Sequence, residues 1–551
     1  MQNFWKDLKE KIAENLKVSI EDIEEPEEHG DFAYPCFNLA RKLKKRPEEV
    51  AKELAKKTKI KFLETKAEGP YLNFYIKWED FSQVLLETIS EEYGKNEIKK
   101  RVVIDLSSPN PAHPFHMGTL RSTLIGESLS RILEFQGYEV KRICYLNDLG
   151  KQAAILLLGY KLLANGEEPE GKPDVWLGNI YYEMNEKIKR EPDLEKKVFG
   201  ILKKYESGDE EIVKIAKKVF NWCLEGFKEN WKKIGVKFDE IIWESELIKK
   251  SKEVVEELKE KNLVFDSEGA LVLKLEPELP NTIILRSDGT GLYLTRDIAL
   301  TLLKYEKYKP ELNIYVVAED QKLHFEQQFK TLELLGYKEL AKNSIHLWFS
   351  MVLLEGKKMS ARKGWMVLWD DLLEEGEKRS LKEIEKRWKD LEDKEKIKRA
   401  EAIALSSIIY FILKYSPEKI VNFSWKRALK FEGDTGPYLQ YTYARINSLL
   451  KKGKYENFDG RYLKEEKEKK ILKLLAKYPE ILEKCRKELR PHYLANYLHK
   501  LADSFNEFYQ NIPILKSEEK FKNARLKLVE CVKNVLKTGL TLLMIPLIER
   551  M

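Results

Sequence analysis

"SSPNPAHPFHMGTLRSTLIGESL", residues 107–129, follows directly on the apolar run Val102–Leu106 and holds three prolines and two histidines before it turns helix-like. Val102–Leu106 reads as a buried strand, and Ser128–Phe135 lies on the helix that follows. A strand-to-helix junction of this kind is a natural anion site. The helix start presents unpaired N–H groups and the positive end of its dipole. An ordinary loop with incidental histidines would carry the same letters, so the rest of the chain has to decide.

From about residue 99 the sequence alternates strand and helix. VVIDL, EVKRICYL, NIYVVA and SIHLWFSMVLL are apolar, β-branched or aromatic runs, each followed by polar or helical sequence. That texture predicts a largely parallel sheet covered by helices. Open sheets of this kind bind ligands beyond the carboxyl ends of their strands. His116, Met117, Gly118 and Thr119 would occupy that crevice. Gly118 lets a flat base or ribose approach the backbone, and His116 can donate to phosphate oxygens. Far downstream, GKKMSARKGWMV, residues 356–367, packs four cations into a short loop pivoting on Gly356 and Gly364. Mobile cations suit a pyrophosphate leaving group, whose charge grows as it departs.

At 551 residues, the chain has room for roughly two to four domains. Hydrophobic residues make up 43% and charged residues 35%, enough for buried cores beneath a highly charged surface. No run approaches the ~18 uncharged apolar residues of a membrane span. MQNFWKDLKEKIAENL reads as an amphipathic helix, not a signal peptide. Cys36, Cys144, Cys223, Cys485 and Cys531 are scattered and never spaced C-x-x-C. Neither a disulfide framework nor a zinc site is expected, which fits a reducing cytoplasm. A net charge of +7 excludes a uniformly basic coat but allows a local patch. Lys and Glu abound while Gln occurs nine times, a balance of heat-adapted proteins.

Three regions separate by texture: 1–96, 97–400 and 401–551. The first has short helices, one starting at Pro47, and a strand around Tyr71, Asn73 and Tyr75. The second is the alternating region, interrupted at about 160–265 by charged helical sequence that reads as a solvated insertion without chemistry of its own. The third is almost wholly helical, with apolar residues three and four apart.

His116–Thr119 and Lys358–Arg362 together resemble the H-x-G-H and K-M-S-K-S pair of class I aminoacyl-tRNA synthetases, in the same order. The wider resemblance is to the arginyl-tRNA synthetase family, of an archaeal or thermophile type, and runs nearly end to end. HGDFAYPCFNLARKL (29–43) and FEGDTGPYLQYTYARI (431–446) look like that family's appended domains. SDGTGLYLTRDIA (287–299), AEDQKLHFEQQFK (318–330), LANYLHKLADSFNEFY (494–509) and Met551 match it too. Two positions depart. Thr119 replaces the second His, and Ala361 the second Lys, in a K-M-S-x-R form that looks usual for the family. Relatives lacking that Lys carry one upstream of H-x-G-H, where this chain has His113. Cationic help would then come from His113, Lys358, Arg362 or Lys363.

The resemblance implies an α/β, Rossmann-like catalytic domain, a small α+β N-terminal domain gripping the tRNA elbow, and an all-α anticodon-binding domain. It implies a catalytic set of His116, Gly118, Thr119, Lys358, Ser360 and Arg362, with His113, His324 and Met359 joining them at ATP. It places Asp105, Asn110, Tyr293, Asp297 and Gln321 on arginine, and Tyr509, Met551, Tyr438 and Tyr441 on tRNA. A guanidinium is planar, permanently charged and rich in donors, so a selective pocket needs carboxylates and side-chain oxygens in fixed positions. Tyr293 and Asp297, four apart, share one helix face. The substrates implied are L-arginine, ATP as its Mg²⁺ complex, and tRNA(Arg), with bound tRNA required before arginine is activated. A monomeric cytoplasmic enzyme is expected, without structural metal or membrane partner. The rival readings are a class I synthetase for another amino acid, and a catalytically silent RNA-binding relative, to which Thr119 points.

Overall fold

The structure, a computed structural model, describes residues 3–287, 291–358, 367–388 and 391–550, and at Lys357 and Lys358 the backbone alone. The chain forms two compact units, one spanning Ile98–Leu429 with Leu489–His492, the other Met1–Glu97 with Lys430–Glu488 and Tyr493–Met551.

In the first unit, five strands form a sheet: β1 (Arg101–Ser107), β2 (Glu139–Leu146), β3 (Glu240–Trp243), β4 (Leu312–Tyr315) and β5 (Ser344–His346). Their order is β5-β4-β1-β2-β3, every neighbouring pair parallel. The winding direction reverses at β1, which opens a crevice beyond the carboxyl ends of β1 and β4. Alternation along β1 sends its side chains to two different helical layers. Leu106 meets α1 (Met117–Phe135) so closely that a Cβ on Gly126 would lie 2.2 Å from the Leu106 Cβ. Val103 lies in the opposite layer, where Leu294, Ile298 and Leu302 of α2 (Tyr293–Tyr308) and Leu332 of α3 (Lys322–Leu335) share its core with Ile143 and Tyr145.

α1 also carries a fully buried arginine. The Arg121 guanidinium donates to the carbonyls of Ser350, Met351 (3.0 Å), Ser416 (3.4 Å), Pro417 (3.0 Å) and Lys419 (2.7 Å). A buried guanidinium costs several kcal/mol unless its donors are met. Here backbone carbonyls meet both terminal nitrogens, while Nε has no partner among the described residues, and the bonds tie α1 to both chain segments that feed a small sheet of Val352–Leu354, Lys357–Lys358 and Val421–Phe423.

Two expectations need correction. SIHLWFSMVLL is not one strand: Ser344–His346 ends the parallel sheet, while Val352–Leu354 belongs to the small sheet. The insertion does not run to 265, because EIIW at 240–243 pairs with β2 as the sheet's edge. Its four residues between charged neighbours are too short to show a period. The helix Asp393–Leu413 passes straight through residue 400 and packs on the helix Trp369–Arg387 and on α1.

The second unit has a three-stranded antiparallel sheet with Tyr71–Ile76, the strand expected there, between Phe32–Pro35 and Leu63–Glu68. A helix begins at Pro47, as its N1 preference predicts. Long helices at Gly436–Lys452, Glu466–Glu488, His492–Asn511 and Glu519–Leu542 add to its core.

Two glycines test this packing. Gly126→Ala should lower the stability of the first unit by about 1–3 kcal/mol through overpacking against Leu106. Gly200→Ala, in a helix where an added Cβ meets nothing within 4 Å, should raise it by about 0.5–1 kcal/mol. Thermal unfolding of the two variants should shift in opposite directions.

Candidate active site

The β1–α1 junction builds the first part of the site. His116 is the N-cap of α1 in extended geometry, its Nδ1 accepting from the Gly118 N–H at 3.0 Å. That bond leaves the ring proton on Nε2, which lies 3.4 Å from the Thr119 hydroxyl. Burial, then the neighbouring His113, pushes the His116 imidazole down to about 4, so it is a neutral donor at physiological pH. Burial lowers His113 as well, and its ring meets Tyr181 edge-on at 4.9 Å. The need for glycine at 118 is internal: a Cβ there would stand 2.9 Å from the His116 ring.

The second stretch returns to this junction. Lys357–Lys358 folds as a hairpin against Leu353 and Leu354, after a left-handed turn at Gly356 (φ 82°). Met359, Ser360, Ala361, Arg362, Lys363 and Gly364 lie outside the described residues, as does the Lys358 side chain. Beyond them the chain runs along the first signature: Met117 N–H donates to Val367 at 3.4 Å, Leu368 bridges His116, and Trp369 N–H donates to Phe115 at 3.0 Å. The two stretches therefore meet at one end of the sheet.

The helical insertion braces the same loop, contrary to the expectation that it is only solvated. Asp174 accepts from the Phe115 N–H at 3.1 Å, Gly178 packs on Pro114, and the Cys223 thiol donates to the Pro111 carbonyl at 3.0 Å.

The third part lies under α2. Asp297 pairs through Oδ2 with His324 Nε2 at 2.6 Å, so His324 joins the expected arginine set. Tyr293, one turn earlier, is half-exposed, and its hydroxyl would lie 3.2 Å from a Cβ on Gly150. Gly150 has φ 89° and precedes the helix Lys151–Leu162. Asp105 is buried at the end of β1 and accepts from the Ser108 hydroxyl at 3.0 Å. Burial raises its carboxyl above the usual range against the pull of Lys304. Asn110 donates to Gln152 at 2.6 Å and accepts from the Ala112 N–H at 2.9 Å. Gln321 sits exposed just before α3, with no described contact to Tyr293 or Asp297. Arg296 is buried: it donates to Glu244 (2.7 Å), Glu206 (3.3 Å) and the Gly291 carbonyl (2.8 Å). Burial raises Glu244 to about 7 although Arg296 opposes it.

Sequence reasoning missed Gly150, Gln152, Glu206, Glu244 and Lys304. Only Gly150 had a legible signal, the turn in NDLGKQ between a strand and a helix. The second unit gathers three expected tyrosines. The Arg445 guanidinium carbon lies 4.6 Å from the Tyr441 ring centre and 4.9 Å from that of Tyr509, and its Nη2 donates to the Tyr441 hydroxyl at 2.9 Å. Tyr438 reaches Asp503 at 3.4 Å. Met551 lies outside the described residues. Among those described, no three His, Cys, Asp or Glu are grouped to hold a metal, and no helix is long and apolar enough to cross a membrane.

A parallel sheet reversing at β1, with an H-x-G signature capping α1 and the backbone of residues 367–369, just past the K-M-S letters in sequence, running alongside it, defines a class I aminoacyl-tRNA synthetase catalytic unit. The family model described as "tRNA synthetases class I (R), catalytic domain" matches residues 80–425. "Arginyl tRNA synthetase N terminal domain" matches 2–76 and "DALR anticodon binding domain" 439–551. The chain belongs to the arginyl-tRNA synthetase family. It is 38% identical to the arginine–tRNA ligase of Clostridium perfringens, over the whole of both chains. It is 37% identical to that of Halothermothrix orenii, over 99% of this chain and 100% of the other. These relatives are bacterial, which corrects the expectation of an archaeal type. The Thermus thermophilus arginyl-tRNA synthetase structure superposes with a TM-score of 0.86 at 28% identity, covering all of both chains. The Plasmodium falciparum arginyl-tRNA synthetase shares the fold, with a TM-score of 0.83 at 22% identity over the same coverage.

The His116 ring should stay neutral from pH 8 down to about 5 and take a proton only near 4. An NMR titration showing half-protonation near the free value of about 6.5 would contradict the buried N-cap.

Proposed function

We propose that the protein activates L-arginine with ATP and transfers it to tRNA(Arg), with the cleft at β1, β4 and α2 as its active centre. Membership of the family makes it an enzyme of arginine–tRNA ligation. The arginine carboxylate attacks the α-phosphorus of Mg-ATP in line; a carboxylate–phosphorus bond forms as the bond to pyrophosphate breaks. The 2′-hydroxyl of the terminal ribose then attacks the arginyl carbonyl and AMP leaves with the electron pair. No side chain has to act as nucleophile, so positioning and charge stabilisation supply the rate.

In this reading Asp297 and Tyr293 clasp the guanidinium, Asp105 lies behind them, and Asn110 and Gln321 hold the rest of the amino acid. The observation that carries it is Asp297, fixed by His324 at 2.6 Å on the helix face that also bears Tyr293. Its Oδ1 has no partner among the described residues, which leaves a charged acceptor for a planar donor. His116 Nε2–H, the Thr119 hydroxyl and the start of α1 take the phosphates. Thr119 is an uncharged donor where the signature has a second His, and His113 is lowered by burial. Lys358, Arg362 and Lys363 are then the stronger cations for departing pyrophosphate. Gly118 and Met359 border the nucleotide, and Ser360 belongs to the same loop. Tyr438, Tyr441, Tyr509 and Met551 form the tRNA-reading side, with rings available to stack on unpaired bases. A pocket built on charge and hydrogen bonds rejects analogues without a proofreading step. A cytoplasmic monomer completes the proposal.

Charging of bulk tRNA with labelled arginine tests the reaction, and an inert protein would favour a silent RNA-binding relative. Asp297→Asn should raise the KM for arginine about 30- to 1,000-fold, as loss of a charged partner costs ~2–4 kcal/mol. An unchanged KM would point to another amino acid. Tyr509→Ala should raise the KM for tRNA about 10-fold without touching that for arginine. Pyrophosphate–ATP exchange with arginine but no tRNA should be negligible; brisk exchange would remove the tRNA requirement.

A further inference from the structure

Lys304 is a buried ammonium. It is 1% exposed, and its Nζ has no acceptor among the described residues. It lies 3.8 Å from the centre of the Tyr315 ring. Tyr315 is held by Asn313 Nδ2 at 2.8 Å and by the Thr301 hydroxyl, so the ring cannot turn away. In the sheet Tyr315 is the direct neighbour of Asp105, and paired residues of parallel strands project to the same side. Asp297, Thr301 and Lys304 stand four and three apart on α2 and face that side together. Asp105 in turn has only the Ser108 hydroxyl as a described side-chain donor. The charges acting on Lys304 are Asp105 and Asp297; those acting on Asp105 are Lys304 and Asp297, with the Cys144 thiol beside it on β2 and His324 behind Asp297. An ammonium and a carboxylate thus share a buried compartment without a direct ion pair among the described contacts.

We propose that Lys304 is a specificity-determining positioning residue: it supplies from behind the counter-charge that keeps Asp105 ionised while the pocket is empty, and leaves the carboxylate oxygen that Ser108 does not hold open to an incoming guanidinium. This rests on the arginine pocket proposed above. A direct ion pair would occupy the acceptor that the substrate needs. No cation at all would leave a buried carboxylate that takes up a proton, and a protonated acid does not select a cation. Parking the ammonium on an aromatic face avoids both. Burial already holds Asp105 above the ordinary range and Lys304 below its own, so each depends on the other for its charge.

The sign of the pH effect follows. Without the ammonium, Asp105 titrates at higher pH, so arginine binding weakens as pH falls through neutrality. At saturating arginine the carboxylate is ionised again, so kcat is spared. The test measures the KM for arginine and kcat from pH 6.5 to 8 for wild type, Lys304→Met, Lys304→Gln, Lys304→Arg, Asp105→Asn and the Asp105→Asn/Lys304→Met double variant. Relative to wild type, Lys304→Met and Lys304→Gln should lose arginine affinity progressively toward pH 6.5, by about 10-fold across the range, with kcat within about 3-fold. Lys304→Arg should follow the wild-type profile. The extra pH dependence should vanish in the double variant. His324 is common to all and cancels in the ratios. A variant-to-wild-type ratio independent of pH, its persistence without Asp105, or equal loss of kcat in both neutral variants would overturn the proposal. Asp105→Asn with an unchanged KM for arginine would instead overturn the pocket itself.

Discussion

A carboxylate shut inside an apolar sheet must be matched by positive charge or give up its own. Asp105 imposes that condition on the centre of the catalytic unit, and much around it answers to it. β1 is the strand at which the sheet reverses, so its end is both deeply buried and next to the crevice. α2 crosses directly above, apolar where it covers Val103 and Ile143, polar where it passes Asp105 and Tyr315. The two faces of the sheet each bury a cation, in opposite ways. Arg121 spends its terminal nitrogens on backbone carbonyls and works as a tether. Lys304 spends none among the described residues and stays available as charge alone.

The phosphate side follows a different logic. Burial makes His116 a neutral, oriented donor by fixing one ring nitrogen to the Gly118 N–H. Fixed dipoles at the sheet edge set direction, and in the proposed reaction the full charges are those of Lys358, Arg362 and Lys363. Preorganised neutral donors combined with cations suit a reaction whose negative charge moves from substrate to leaving group.

The central strands and the β1–α1 turn were legible because their cues are local: apolar β-branched runs, then a helix start marked by His-x-Gly. Tyr293 and Asp297 were singled out by the family likeness, and their spacing added only that they share one helix face. The rest is non-local. EIIW at 240–243 is a strand only because β2 leaves an edge for it. SIHLWFSMVLL splits because the backbone at Phe349 bridges Ala318 and the chain then changes sheet. Glu206, Glu244 and Lys304 look like surface charges in the sequence; tertiary packing alone buries Glu244 and Lys304 and half-buries Glu206. The insertion reads as solvated because its contacts to Pro111, Pro114 and Phe115 come from single residues scattered over long helices.

The second unit draws its core from residues before 98 and after 429. Trp5 is wholly buried, packed on Phe32 at 4.5 Å, with the ammonium groups of Lys473 and Lys477 over its indole. On a ribosome, that indole emerges well before Lys473 and Lys477 are made, and it waits for the long stretch between them before its lid exists. The early segment must therefore remain soluble as an unfinished half-core, and a nascent chain stalled in the middle would expose it to chaperones and proteases.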